Sequence, residues 1–355
     1  MPGPPDAVGT GVTALSVLDL VPVRTDQSTA DAVAASLALA RVADEVGAVR
    51  YWVAEHHNMP AVAATNPPLL MSMVAAATTR VRVGSGGVML PNHSPLVVAE
   101  QVALLEAAYP GRVDVGIGRA PGSDPVTSHL LRRGQSADGV DTFDDDVATL
   151  RALVRPQGVE VRVGSSTYPL LATPRATSAP QLWLLGSSSY SAQLAGRLGL
   201  PYVFAHHFAG RGTDEAVSLY RRTFVPSEEL AEPRTIAVAN VAVAATEQEA
   251  RRLALPQLRT MWRLRAGQTL APQELVEDAE ENPLPAAADE LLAALSASWI
   301  VGDPASAADQ VRALAARLGT DELMVQPVTG AVRGTPADRT PSREQTLRLL
   351  ADALA

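Results

Sequence analysis

VRVGSGGVMLPNHSPLVVAEQVALLEAAYPGRVDVGIG, residues 81–118, is the unit from which the rest of the chain is built. Residues 81–89 and 112–117 are short runs rich in valine, and residues 95–109 between them carry Ala, Leu and Val at helical spacing. A strand, a helix and a strand in that order join as parallel strands through a crossover. The alternation continues in both directions. Upstream, residues 12–18 read as a strand, 29–47 as a helix stopped by Gly47, 50–54 as a strand, and 67–79 as a helix opened by prolines, where a missing N–H does no harm. Downstream, residues 182–185, 201–205, 235–244 and 322–326 complete a set of eight strands. A doubly wound open sheet also alternates in this way, but eight units favour a closed (β/α)8 TIM barrel with insertions, one domain over residues 1–355.

Three stretches exceed a minimal barrel. Residues 121–142 are polar and irregular, and residues 159–171 read as a hairpin turning at Gly164-Ser165-Ser166. Residues 267–287 are acidic and proline-rich between two helical patterns, which fits a lid insertion. A last helix over residues 343–354 has the pattern of a capping box, Ser342 with Gln345.

Composition excludes several chemistries. The chain has no cysteine, so disulfides, thiolate nucleophiles, cysteine-ligated zinc and iron–sulfur clusters are out. All 29 basic residues are arginine, which removes the P-loop lysine and Schiff-base catalysis. A net charge of −9 disfavours nucleic acid and anionic membrane as partners. With neither a secretory signal nor an 18-residue apolar run in view, a cytoplasmic protein is expected.

Barrel sites lie at the C-terminal ends of the strands. Those ends carry Asp19, Glu55-His56-His57, Gly86-Gly87-Val88-Met89, Gly118-Arg119, Gly186-Ser187-Ser188-Ser189-Tyr190-Ser191 and His206-His207. Adjacent strand residues face opposite ways, so neither histidine pair converges easily on one metal ion. One member of each pair is expected to face the pocket and the other to pack, and the pattern alone does not say which. Gly116-Ile117-Gly118-Arg119-Ala120-Pro121-Gly122 resembles a dinucleotide fingerprint but has its last glycine one place late, with prolines where a helix should start. No other nicotinamide site is visible. The serine-rich run before a helical pattern suits an anion, through backbone N–H groups, hydroxyls and the helix N-terminus. Plain helix capping is the simpler alternative, but one serine would suffice for it. Arg119 at the neighbouring strand end could reach the same phosphate. The glycines of Gly84-Ser85-Gly86-Gly87 suggest close approach of a ligand or of other backbone.

Taken together, Glu55-His56-His57, the run from Gly84 to His93, Gly111 to Arg119, the serine-rich loop, Leu198-Gly199-Leu200-Pro201 and Gly302-Asp303-Pro304 resemble the luciferase-like flavin monooxygenase family, in family order and over nearly the whole chain. The resemblance implies a barrel that binds reduced FMN and uses O2 to oxygenate a small organic substrate. It implies His56 as acid/base, with Glu55 and His57 beside it. Arg119, Ser187, Ser188 and Ser191 match the phosphate contacts, and Gly86-Gly87 matches a non-proline cis peptide beneath the flavin. Val88, Met89, Gly118, Gly186 and His206 complete the expected cofactor site. Gly118 stands where luciferase has a reactive cysteine, so light emission is not expected, and the likeness leans toward oxygenases that tailor natural products such as aromatic polyketides. Expected partners are a separate flavin reductase and a second copy of the chain in a homodimer. The alternatives are an F420-dependent oxidoreductase on the same scaffold and a non-catalytic flavin-binding subunit.

Overall fold

A computed structural model describes residues 14–132, 142–155, 157–209 and 212–355. The strands are β1 (Ala14–Asp19), β2 (Arg50–Val53), β3 (Arg82–Met89), β4 (Val113–Gly118), β5 (Val159–Val163), β6 (Ser166–Leu170), β7 (Gln181–Gly186), β8 (Tyr202–Phe204), β9 (Thr235–Val243), β10 (Ile300–Gly302) and β11 (Glu322–Pro327). The helices are α1 (Thr29–Glu45), α2 (Pro67–Ala77), α3 (Pro95–Ala108), α4 (Pro125–Leu131), α5 (Phe143–Leu153), α6 (Ser189–Leu198), α7 (His206–Ala209), α8 (Thr213–Thr223), α9 (Glu247–Arg265), α10 (Val276–Glu281), α11 (Asp289–Ser296), α12 (Pro304–Leu318) and α13 (Pro341–Leu354). β1, β2, β3, β4, β7, β8, β9 and β11 pair in parallel and close into a ring, a (β/α)8 barrel. β10 adds to the last three residues of β9, Val241 to Val243. β5 and β6 form the expected antiparallel hairpin outside the ring.

Local chemistry accounts for many of the boundaries. Ser28 and Asp31 cap α1 reciprocally, Asn66 caps α2 ahead of two prolines, and left-handed Gly199 and Gly319 end α6 and α12. Two readings are corrected. α13 starts at Pro341 behind Thr340, and no side-chain cap of the Ser342–Gln345 kind is present. The stretch after β4 is not wholly irregular, because Asp124 accepts hydrogen bonds from the N–H groups of Val126 and Thr127 and starts α4. Residues 133–141 lie outside the described part.

Two cores follow from strand alternation. Outward side chains pack the helices against the ring, while Leu18, Trp52, Trp183, Val203, Ile236, Val238 and Met324 fill its interior. Below this apolar layer is a charged one. Arg50 donates to Asp114 at 2.6 Å and to Glu322 at 2.7 Å, and its guanidinium lies 4.7 Å from the Trp183 ring centroid. Arg82 closes on Asp114 at 2.7 Å and Arg234 on Glu322 at 2.9 Å. The Trp52 indole N–H donates to Asp114 at 3.0 Å and couples the two layers. Among the described residues, no helix is long and apolar enough to cross a membrane.

Gly84 belongs to this packing, not to a ligand. A Cβ there would lie 2.4 Å from Trp52 Nε1 and 2.9 Å from Asp114 Cβ. Trp52 is wholly buried and held through its indole N–H by Asp114. Gly84→Ala should therefore cost about 1–3 kcal/mol, the usual range for overpacking a full core. Denaturant unfolding would detect this, and unchanged stability would show that the layer has slack.

Candidate active site

With the lower barrel filled, space opens above it. A cavity of about 980 Å³ lies at the C-terminal mouth, floored by Leu18, Trp52, Leu185, Val203, Val238 and Met324. Four buried polar atoms of its lining have no partner in the structure: His56 Nδ1, His207 Nδ1, Asn240 Oδ1 and Gln326 Oε1. Asn240 is held in place because its Nδ2 donates to the His207 carbonyl at 2.9 Å, which leaves Oδ1 for another donor. Asn240 and Gln326 are register partners on β9 and β11. A buried polar group left unpaired costs about 1–3 kcal/mol, so four at one cavity mark a place built for a polar ligand.

Strand parity resolves the histidine pairs. On β2 the residues Arg50, Trp52 and Ala54 lead inward to His56, which lines the cavity. After β8, Val203 and Ala205 lead to His207, which lines it too. His206, expected at the cofactor, is instead buried outside the cavity, with Nδ1 2.7 Å from the Thr213 hydroxyl. Burial pushes the His56 pKa down against the pull of the Glu55 charge. His207 is pushed down to about 3 by burial, with His56 and His206 adding to it. Both imidazoles are therefore neutral near pH 7.

Glu55 and His57 do not line the cavity. Glu55 is fully buried; its Oε1 lies 2.8 Å from His57 Nε2 and 2.8 Å from His93 Nε2, and its Oε2 accepts the Met89 N–H at 3.0 Å. Burial opposes its ionisation, but the bond and charge of His93, then His57 and the Met89 amide, prevail and hold the carboxyl below its usual range. Glu55 thus ties the ends of β2 and β3 together behind His56. Asp19 is likewise occupied, accepting from Ser36 and Tyr51 at 2.6 Å and from Arg343 at 2.7 Å.

The remaining expected residues divide. The Gly86–Gly87 peptide is cis, and both glycines line the cavity with Met89 and Gly118. Val88 does not; it is buried in the core between barrel and helices. A Cβ on Gly86 would meet the Leu18 methyl at 2.5 Å and one on Gly118 would meet the Met89 sulfur at 2.8 Å, so a side chain at either place would displace a flexible neighbour at the cavity. Ser187 and Ser188 line the cavity and are exposed at the N-terminus of α6, and Ser188 makes no side-chain capping bond. Ser191 is buried, donates to the Ser188 carbonyl at 3.1 Å, and packs where a Gly186 side chain would otherwise stand. Arg119 stacks 3.8 Å from the Tyr190 ring centroid. Among the described residues it has no ion-pair partner.

The acidic stretch at residues 267–287 is anchored along much of its length. Glu274 pairs with Arg259 and Arg263, Glu277 and Glu280 with Arg252, and Asp278 and Glu281 with Arg333. Its acidity thus belongs to packing of α10 on α9, and only residues 268–272, with Leu270 on the cavity, are left as a candidate lid.

Of the pair at the end of β8, sequence reasoning left His207 open, and it missed His93, Asn240 and Gln326 as site residues. A signal for the last two was present: each is an amide side chain near the end of an otherwise apolar strand, in phase with inward neighbours.

A (β/α)8 barrel with a polar-edged cavity at its C-terminal mouth defines a ligand-binding TIM-barrel protein. The chain matches the luciferase-like monooxygenase family model over residues 13–322, and it belongs to that family. A protein named luciferase-like monooxygenase from Escherichia coli (strain K12) is 41% identical over 312 residues, 88% of this chain and 90% of that one. The structure of apo-MsnO8 is 34% identical with a TM-score of 0.83, covering 96% of this chain and 98% of that one. The oxygenating constituent of 3,6-diketocamphane monooxygenase from Pseudomonas putida, in complex with FMN, is 18% identical with a TM-score of 0.70, covering 96% and 98%, and shares the fold.

The depressed histidines make a pH prediction. Each takes up a proton on unfolding, so stability falls on acidification between the ordinary value of 6.5 and, for His207, about 3. One such group contributes at most about 1.4 kcal/mol per pH unit across that window. His207→Gln should therefore lose less Tm than the wild type between pH 7.5 and pH 5. Equal losses would place the imidazole in water.

Proposed function

We propose that the protein is a monooxygenase that takes reduced FMN from a separate reductase and uses O2 to oxygenate a small organic substrate at the barrel mouth. The observation that carries this reading is the set of four unpartnered polar atoms around one cavity with an apolar floor. A planar heterocycle with polar edges fits that donor and acceptor set, and the Trp52–Leu185 layer beneath it is apolar. Reduced flavin supplies the electrons that activate O2. The protein's own residues do the rest. Ser187 and Ser188, at the N-terminus of α6, and Arg119 would hold the phosphate; two hydroxyls and a guanidinium with no carboxylate partner suit a dianion. Asn240, held by the His207 carbonyl, and Gln326 would present acceptors to ring N–H groups. His56 moves the proton: its Nδ1 is unpartnered and its imidazole is neutral near pH 7, so it can take up a proton there and return it. Glu55 and His93 position it and do not touch ligand.

Two variants test this. Arg119→Ala should weaken FMN binding at least several-fold, the scale of a charge-assisted bond worth about 1.5–3 kcal/mol. FMN affinity unchanged in that variant and in a Ser187→Ala/Ser188→Ala double variant removes the phosphate assignment. If F420 stabilises the protein and FMN does not, the cofactor is the deazaflavin. His56→Ala should bind FMN nearly normally yet yield much less oxygenated product per reduced flavin oxidised, by about 10²–10⁴ in rate if the role is general acid–base. Wild-type coupling in the variant moves the role to His207.

A further inference from the structure

The charges of the cavity contrast with those of the chain. The protein carries a net charge of −9, yet among the described residues no Asp or Glu lines the cavity. Three arginines do: Arg119, Arg132 and Arg343. Arg343 is spent on Asp19 and the Pro327 carbonyl. Arg119 and Arg132 are left, and they lie on opposite sides of the end of β4. Arg119 turns toward β7 and α6, where it stacks on Tyr190 beside Ser187 and Ser188. Arg132, at the end of α4, turns toward the loop after β3, where its Nε reaches Asn92 Oδ1 at 3.4 Å. Asn92 is itself fixed by donating to the Pro121 carbonyl at 2.9 Å. His129, three residues before Arg132 and so on the same helix face, also lines the cavity. Among the described residues no carboxylate pairs with Arg132. The lining there includes Met59, Val62, Met89, Pro121 and Pro125, with the hydroxyls of Ser123 and Ser128 bonded to each other.

From this arrangement we infer that the substrate is an organic acid, an apolar body with one carboxylate, and that Arg132 with His129 receives the carboxylate on the β3 side of the cavity. This rests on the proposed function, in which Arg119 and the serines take the flavin phosphate on the β7 side. A second cation in a lining whose described residues include no acid raises affinity for anions and rejects cations. A guanidinium also offers the fork that a carboxylate accepts. The Met-rich wall adapts to apolar bodies of varied shape.

The test uses the FMN-loaded protein and two matched probe pairs, octanoate with octanamide and phenylacetate with phenylacetamide, measured by calorimetry. At least one acid should bind about tenfold or more tightly than its isosteric amide, as a charge-assisted bond requires. Arg132→Gln should abolish that preference and Arg132→Lys should keep part of it, with FMN affinity within twofold of wild type in both. Equal affinity for acid and amide in the wild type, including no binding of either, overturns the inference, as does a preference that survives Arg132→Gln. Loss of FMN in Arg132→Gln on the scale of Arg119→Ala would assign Arg132 to the phosphate, overturning the inference while leaving the proposed function in place. Failure of the wild type to bind FMN at all would instead remove the proposed function.

Discussion

The ion-pair layer at the bottom of the barrel is the constraint on which the rest depends. Arg50 sits inside the ring with carboxylates on both sides, Asp114 and Glu322, and each carboxylate has a further arginine. Charges so deeply buried are tolerable only when fully paired. Satisfying them fixes the register of β2, β4 and β11, and Trp52 hangs from the same network through Asp114. Trp52 and Trp183 then meet edge to face at 5.7 Å and seal the middle of the barrel. No room remains below, so a ligand must enter from the C-terminal mouth, and the apolar layer becomes its floor.

Above that floor the chain uses its polar groups in two ways. Groups facing outward are saturated: Asp19 by three side chains, Glu55 by two imidazoles and an amide. Four polar atoms facing the cavity are left open, those of His56, His207, Asn240 and Gln326. The saturated set holds the loops after β2 and β3 still, and the open set waits for a partner from outside the chain. The same outward pairing accounts for the acidic α10, whose carboxylates are matched to arginines of α9 and to Arg333.

Much of this was legible in the sequence. The eight ring strands were, because each is a short apolar run set off by helical periodicity, and strand-end clusters pointed to the mouth. His56, Arg119, Ser187 and Ser188 were legible as strand-end residues. The side of each histidine pair was not, since His206-His207 follows so short a strand, Tyr202–Phe204, that its phase is hard to read. The packing role of Gly84 was not legible, because a side chain there would meet Trp52 on β2 and Asp114 on β4, residues distant in sequence that strand pairing brings alongside. The ion pairs of the acidic stretch were not legible, because its partners lie 11 to 56 residues away in the chain. His93 joined Glu55 only once β2 and β3 were side by side.

The central claim is that the open polar groups at the mouth surround a flavin. A crystal structure of the protein with FMN bound tests it most directly. The account predicts flavin density in the mouth cavity, the ring on the Trp52–Leu185 layer within hydrogen-bond distance of His56, His207, Asn240 or Gln326, and the phosphate at Arg119, Ser187 and Ser188. A flavin bound elsewhere, or one whose phosphate avoids Arg119 and the serines while those four polar atoms stay unpaired, would contradict it.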